Sequence, residues 1–251
     1  MASPVAKYAD RLQNAGVAGT RTSHGAENNL HKINLLLEHD DSTTFGMKDL
    51  LRGVDFEEAY EAVAARLGYP PDKEETPGRG CIDPARTAAA LLEAGGRIRD
   101  VAGAVGRVVF GTGHPGALLI YYLGLARWVE ELGGEVAVTE VRGRDKQDLP
   151  LDWAGPVAVM GDGASMFHTH DPAPMQRVLR QAGTVDLVVG DHGFAGAAVA
   201  GGIPTVAVMD TNDPALAVVA KRGANATVIP MDDNRPLNSY AAALEVLKAE
   251  P

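Results

Sequence analysis

Apolar positions over the first hundred residues recur at helical spacing. Tyr8, Leu12 and Val17 form an irregular stripe, and Leu30, Ile33, Leu36 and Leu37 a clearer one, so residues 4 to about 66 read as helical. Asp55 opens a further helix, with Glu57 and Glu58 in the first turn where carboxylates meet the positive end of the helix dipole. Gly68 closes it ahead of Pro70-Pro71. Residues 70–80 combine proline, glycine and charge, the composition of an exposed connection or lid. Asp83-Pro84 then starts an alanine- and leucine-rich helix with proline in its first turn.

After Gly106 the pattern changes. Short apolar runs at 107–110, 135–140, 156–160, 185–189, 205–209 and 226–229 alternate with helix-like stretches, as in repeated βα units. Runs this continuously apolar suit strands covered on both faces, and hence a parallel sheet. The expectation is an α/β chain: a Rossmann-like, doubly wound, mainly parallel sheet over residues 101–251, preceded by an N-terminal helical segment or cap over residues 1–100. No internal repeat is visible.

Polar clusters sit where those runs end. Gly111-Thr112-Gly113-His114-Pro115-Gly116 follows one strand and leads into the apolar stretch 117–132. Glycines there let the backbone turn tightly, and free N–H groups at a helix start face an anion, so Gly111, Thr112, Gly113 and Gly116 are candidate phosphate contacts. The same turn, with Glu140 at the end of the next run, fits a nicotinamide or flavin site, or a merely structural turn. His114 is needed by neither. In Met166-Phe167-His168-Thr169-His170-Asp171, an extended backbone would aim His168 and His170 to one side, toward a metal or a phosphoryl group. Asp171 before Pro172 also reads as a helix cap. Gly190-Asp191-His192-Gly193 and Met209-Asp210-Thr211-Asn212-Asp213-Pro214 close two more strands, with Asp213-Pro214 doubling as a cap. Asp232-Asp233-Asn234 reads equally well as a solvated turn. Asn28 and Asn29 read as ordinary N-caps, and His24, His31 and His39 as surface or interface residues.

In open parallel sheets ligands bind beyond the carboxyl ends of the strands, so His114, Asp162, His168, His170, Asp191, His192, Asp210 and Asp213 are expected to project into one region. His114, Asp191 and His192 are the expected catalytic groups, His114 as acid–base or phosphate contact. His168, His170, Asp210 and Asp213 are the expected metal ligands, for Mg²⁺ or Mn²⁺. Asp191 and His192 could join a water-activating set, and without metal a histidine nucleophile or acid–base pair could serve.

Composition narrows the class. At 251 residues, 45% hydrophobic and 22% charged, the chain is an ordinary globular one. Its net charge of −10 argues against a nucleic-acid backbone as ligand. Cys81 is the only cysteine, which excludes an internal disulfide, and the N-terminus lacks an export-signal pattern; a reducing cytosol fits best. The apolar runs fall short of the roughly 20 residues a bilayer span needs. Absent too are a Gly-x-Ser-x-Gly elbow, a Walker lysine motif and a zinc-type cysteine pair.

Together, Glu27-Asn28-Asn29-Leu30, Gly113-His114-Pro115-Gly116, His168-Thr169-His170, Asp191-His192-Gly193-Phe194-Ala195-Gly196 and Asn212-Asp213-Pro214-Ala215-Leu216 resemble an actinobacterial family described as phosphatases. The likeness runs from about residue 27 to residue 233. It departs from the family around residues 45–54 and at Asn234, which bears on substrate choice. The resemblance implies a phosphatase; with the candidate residues, the expectation is a phosphomonoesterase acting on a small phosphorylated cytosolic metabolite, in a chain able to form a homo-oligomer. The alternatives are a nicotinamide- or flavin-dependent oxidoreductase and a non-catalytic binder of a phosphorylated ligand.

Overall fold

The computed structural model describes residues 4–70, 80–144 and 150–250; the core of the expected lid, residues 71–79, lies outside the described residues. The first hundred residues hold α1 (Pro4–Ala15), α2 (Ala26–Leu37), α3 (Asp41–Thr44), a 3-10 turn at Lys48–Leu51, α4 (Phe56–Leu67) and α5 (Pro84–Gly103). The caps are those expected: Asp55 Oδ1 accepts from the Glu58 N–H at 2.8 Å, and Asp83 Oδ1 from the Ala85 N–H at 2.8 Å.

From there strands and helices alternate: β1 (Arg107–Thr112), α6 (Pro115–Glu131), β2 (Glu135–Val136), β3 (Gly143–Arg144), β4 (Pro150–Ala154), β5 (Val157–Gly161), β6 (Met166–Phe167), α7 (Ala173–Ala182), β7 (Leu187–Asp191), α8 (His192–Ala200), β8 (Thr205–Met209), α9 (Pro214–Lys221), β9 (Ala226–Pro230) and α10 (Tyr240–Lys248). The sheet runs β3-β4-β5-β1-β7-β8-β9, with β5, β1, β7, β8 and β9 mutually parallel. This is the expected Rossmann-like α/β architecture. The chain leaves β1 toward β2 and β5 on one side and then crosses to β7, β8 and β9 on the other. Strand order therefore reverses at β1, where open sheets of this kind place their ligands.

The expected strand over 135–140 is only two residues long. The side of β1 that it occupies is shared: β2 pairs with Arg107 and Val108, but from Phe110 onward the neighbour is β5. Glu140, freed from the sheet, is exposed. The antiparallel strands β3, β4 and β6 were not expected. Leu151-Asp152-Trp153 alternates with a charge and follows a proline, the pattern of a strand near a sheet edge rather than of a buried parallel one.

Alternation along the parallel strands divides the core. Val108 and Phe110 of β1, Leu187 and Val189 of β7 and Val206 of β8 face a layer that holds Leu12 of α1, Leu91 of α5, Leu118 of α6 and Leu247 of α10. Ala207 and Met209 face the opposite layer with Ile33 of α2, Val63 of α4 and Leu216 of α9, while Val109 and Val188 pack with Met175 and Phe194. The N-terminal helices thus contribute to both faces of the sheet, sharing its core. Among the described residues no helix is long and apolar enough to cross a membrane.

Candidate functional site

Loops after β1, β7, β8 and β9 open into a cleft of about 440 Å³, which the segment after β6 and the start of α2 also line. His114, His170, His192 and Asp233 line its inner part, with His24 from the N-terminal segment, and the exposed His168 stands at its edge. Asp210 and Asp213 lie just behind them, 0% and 2% exposed. Asp162 stays outside. It is exposed, and its Oδ1 accepts from the Ala164 and Ser165 N–H groups in the turn between β5 and β6. Asp171 takes the capping role, its Oδ1 accepting from Ala173 N–H at the start of α7.

The glycine turn after β1 directs its donors inward. Thr112 Oγ1 donates to Asp191 Oδ2 at 2.6 Å, and the Gly113 N–H donates to Asp191 Oδ1 at 2.8 Å. The His114 N–H donates to Thr112 Oγ1 at 2.9 Å. What this turn cradles is therefore a carboxylate of the protein itself, and the donors of Thr112 and Gly113 are committed to it. Gly113 is required by proximity, since a Cβ there would lie 2.2 Å from the Thr169 carbonyl oxygen.

Asp191 is 1% exposed and accepts a third hydrogen bond, from His192 Nδ1 at 2.8 Å. Burial would push its carboxyl upward, but the hydrogen bond and charge of His192, with Thr112, hold it below the ordinary range. The far nitrogen of His192, Nε2, reaches Asp233 Oδ2 at 3.3 Å and Asp213 Oδ2 at 3.8 Å. Burial opposes charge on His192, yet Asp213, Asp191 and Asp233 together push it up to about 10. His192 opens α8 with a φ of 42°, a left-handed conformation that costs a non-glycine residue about 1–3 kcal/mol and persists where the surroundings enforce it, often at functional sites.

Asp233 joins two sets of potential ligands. Its nitrogen neighbours are His192 and His114, the latter presenting Nδ1 at 3.4 Å. Burial, then the nearby Asp210, push its carboxyl up to about 7. His24 Nδ1 bonds Asp210 Oδ2 at 2.7 Å, and that bond raises the His24 pKa. Asp213 stands at the N-cap position of α9 ahead of Pro214, but its side chain makes no capping bond there; its Oδ2 accepts the Asp210 N–H at 3.0 Å. Three groups among the described residues bring one ligand atom each within 4.8 Å of the others: His24, Asp210 and Asp233; His192, Asp213 and Asp233; and His114, His168 and His192. Of the four residues expected as ligands, Asp210, Asp213 and His168 fall in these groups and His170 does not.

The two histidines after β6 meet as expected, their rings 4.9 Å apart, and His170 stacks on His192 at 4.6 Å and 11°. Burial, then the charge on His192, lower His168 to about 4 and His170 to about 3, so both are neutral near pH 7. His170 Nδ1 donates to the Ser42 carbonyl, leaving Nε2 as an acceptor. The stack depends on Gly193, where a Cβ would lie 2.4 Å from the His170 and Asp171 carbonyl oxygens. Gly193→Ala is expected to destabilise by about 1–3 kcal/mol, the usual cost of overpacking. Turnover should fall with it as the His168–Asp171 segment is displaced. A thermal melt beside a rate measurement checks this, and an unchanged melt would show that the segment gives way freely.

Several residues of the cleft had other readings from the sequence. His24, expected at the surface or an interface, and Asp233, whose segment reads as a solvated turn or a site, both belong to the cluster. Asn28 and Asn29 do not cap α2, whose N-cap is Gly25. Asn212 donates to Asn28 Oδ1 at 3.1 Å, and Thr211 Oγ1 donates to Asn29 Oδ1 at 2.9 Å, tying α2 to the loop after β8. Lys32, one turn beyond Asn28, and Asn234 complete the rim. His31 and His39 do not line the cleft. Thr-Asn-Asp after a strand, matched with Asn-Asn opening a helix, was the available signal for the α2 contact.

Comparisons with known proteins bear on the chain as a whole. A family model described as Phosphatase matches residues 4–247, which include every residue of the cluster. Phosphatase SCO2771 of Streptomyces coelicolor is 34% identical over 234 residues, 91% of this chain and 88% of that protein.

Proposed function

We infer, from the premise that this chain belongs to the phosphatase family, that it hydrolyses phosphate esters at the histidine–aspartate cluster beyond β7, β8 and β9. One observation carries the location: Asp210, Asp213 and Asp233, each 2% exposed or less, converge with His24 and His192. Buried carboxylates so close are costly unless a cation or donors compensate them.

A divalent cation fits this donor set. Carboxylate oxygens and imidazole nitrogens together suit Mn²⁺, Zn²⁺ or Fe²⁺; Mg²⁺ favours all-oxygen shells and is the poorer match. His24, Asp210 and Asp233 form one set that would hold such an ion, and His192, Asp213 and Asp233 another. When bound, such an ion polarises a phosphoryl oxygen and eases ionisation of water. Asp191 contributes from behind, accepting from His192 Nδ1 so that Nε2 faces the cluster; charged without a metal, His192 would release its Nε2 proton on ligating one, with Asp191 as its carboxylate support. His114, whose Nδ1 lies by Asp233, is raised by that carboxylate against the opposing effect of burial, and can carry a proton to a leaving oxygen. His168 and His170, neutral, can accept one.

The oxidoreductase alternative has less support: Glu140 is exposed beyond a two-residue strand, and the turn donors that a pyrophosphate would need are bonded to Asp191. Phosphate release from a panel of esters tests the reading, with chelator and with Mn²⁺, Zn²⁺ or Mg²⁺ restored. Release that a chelator abolishes and Mn²⁺ or Zn²⁺ restores better than Mg²⁺ is expected. Absence of release from every ester would overturn hydrolysis, and bound nicotinamide or flavin in the absorbance spectrum would redirect it.

A further inference from the structure

The cleft is built in two parts of different chemistry. Its depth is the imidazole and carboxylate cluster, while its rim consists of Asn28, Lys32, Asn212 and Asn234. Among the described lining residues there is no aliphatic side chain and no Phe, Tyr or Trp, and the aromatic rings are the imidazoles of His24, His114, His168, His170 and His192. Small-molecule sites are ordinarily lined mostly by apolar and aromatic groups, and a nucleobase or aryl ring gains its binding energy by stacking on them. The rings in this cleft of about 440 Å³ are imidazoles already packed on one another, His114 on His168 and His170 on His192, so an apolar leaving group meets no aliphatic wall. Carboxamides, in contrast, each carry an acceptor oxygen and two donor hydrogens, the complement of a hydroxyl that donates and accepts.

Charge points the same way. Lys32 is the one Lys or Arg among the described lining residues, half-buried, and four residues beyond Asn28 on the same face of α2. It takes part in no ion pair among the described residues. Asn28 and Asn212 hold each other at 3.1 Å, so this part of the rim is preorganised across two segments of the chain. An ammonium at the mouth of a cleft whose deep carboxylates repel anions is placed to meet a phosphate dianion, with amides beside it for the hydroxyls of the group that leaves.

We propose that the substrate is the monophosphate of a small polyhydroxylated compound, a sugar or polyol phosphate, with Lys32 binding the phosphate and Asn28, Asn212 and Asn234 reading the hydroxyls. The proposal rests on the phosphatase reading and adds the class of substrate. The test compares kcat/KM for hexose, pentose and polyol monophosphates with that for nucleoside monophosphates and an aryl phosphate, using the full chain with Mn²⁺. At least tenfold preference for the polyhydroxylated esters is expected, and Lys32→Met should raise KM about tenfold while kcat changes less. Preference for a nucleotide or the aryl ester, or an unchanged KM in a well-folded Lys32→Met, overturns the proposal and leaves hydrolysis standing. If no ester is hydrolysed, calorimetric titration of the same compounds separates the two ideas. Binding of sugar or polyol phosphates that Lys32→Met weakens upholds the ligand class without hydrolysis, and no binding ends both.

Discussion

Asp233→Asn should abolish turnover while leaving the melting temperature where it was or higher. The two halves of that expectation come from the same facts. Asp233 is 2% exposed, faces His192 and His114, and belongs to both carboxylate-containing ligand groups. Burial and Asp210 make its charge unfavourable, lifting its carboxyl to about 7. Asparagine keeps the shape and removes the charge, so the repulsion it suffers in the folded state is relieved. A group retained at a cost to stability is the signature of a working residue rather than a packing one. Loss of even an outer partner of a metal ligand costs about 10–100-fold, so loss of a shared inner ligand should exceed about 10²-fold. Calorimetric titration with Mn²⁺ supplies a readout besides rate, since the variant should bind the ion far more weakly. Near-normal turnover with intact Mn²⁺ binding would remove Asp233, and the two ligand groups it joins, from the reaction.

Why Asp233 stayed ambiguous in the sequence, when Asp191 and Asp210 stood out, has a physical reason. A carboxylate at the end of a strand and between glycines has few structural explanations, so Asp191 stood out. Asp232-Asp233-Asn234 has the composition of any exposed turn, and only the fold divides its labour. Asp232 accepts from the Ser23 N–H and Oγ at 2.8 and 2.7 Å and pairs with Arg235 Nε at 2.7 Å, which locks the turn and leaves its neighbour facing the cleft. His24 escaped for a related reason. Its role is fixed by a contact with Asp210, 186 positions away, and no local pattern encodes that separation.

The parallel core was legible because each of its strands is apolar on both faces. Val108-Val109-Phe110 feeds one hydrophobic layer with its first and third residues and the opposite layer with its second. The edge was not legible: β4 alternates with Asp152, and β6 consists of two exposed residues, Met166 and Phe167, whose pairing with β5 depends on the hairpin geometry. The glycine turn shows where a motif is ambiguous in principle. Gly111 to Gly116 sits in the strand–turn–helix setting of an anion cradle, and the anion it holds is Asp191, part of the chain itself.

From that follows the second large effect. Asp191→Asn should lower both stability and turnover, whereas the composition of its loop alone suggests a loss of activity in an intact fold. Asp191 accepts from Thr112 Oγ1, the Gly113 N–H and His192 Nδ1, and all three donors converge on its two oxygens. Asparagine has one oxygen and a donor nitrogen, so at least one of these groups loses its acceptor. Leaving a buried donor unpaired costs about 1–3 kcal/mol, and in a chain of this size each kcal/mol lowers the melting temperature by about 2–4 °C. The loss of turnover has a separate origin. Without the carboxylate, His192 is no longer fixed with Nδ1–H inward and Nε2 toward Asp233 and Asp213, and outer partners of this kind are worth about 10–100-fold in activity or metal affinity. Asp191→Asn should therefore be less severe than Asp233→Asn in rate and more severe in stability. Rates and melts measured side by side on the two variants decide the assignment. If Asp191→Asn proves the more damaging to rate while melting normally, Asp191 acts on the substrate directly and its assignment as the support of His192 fails.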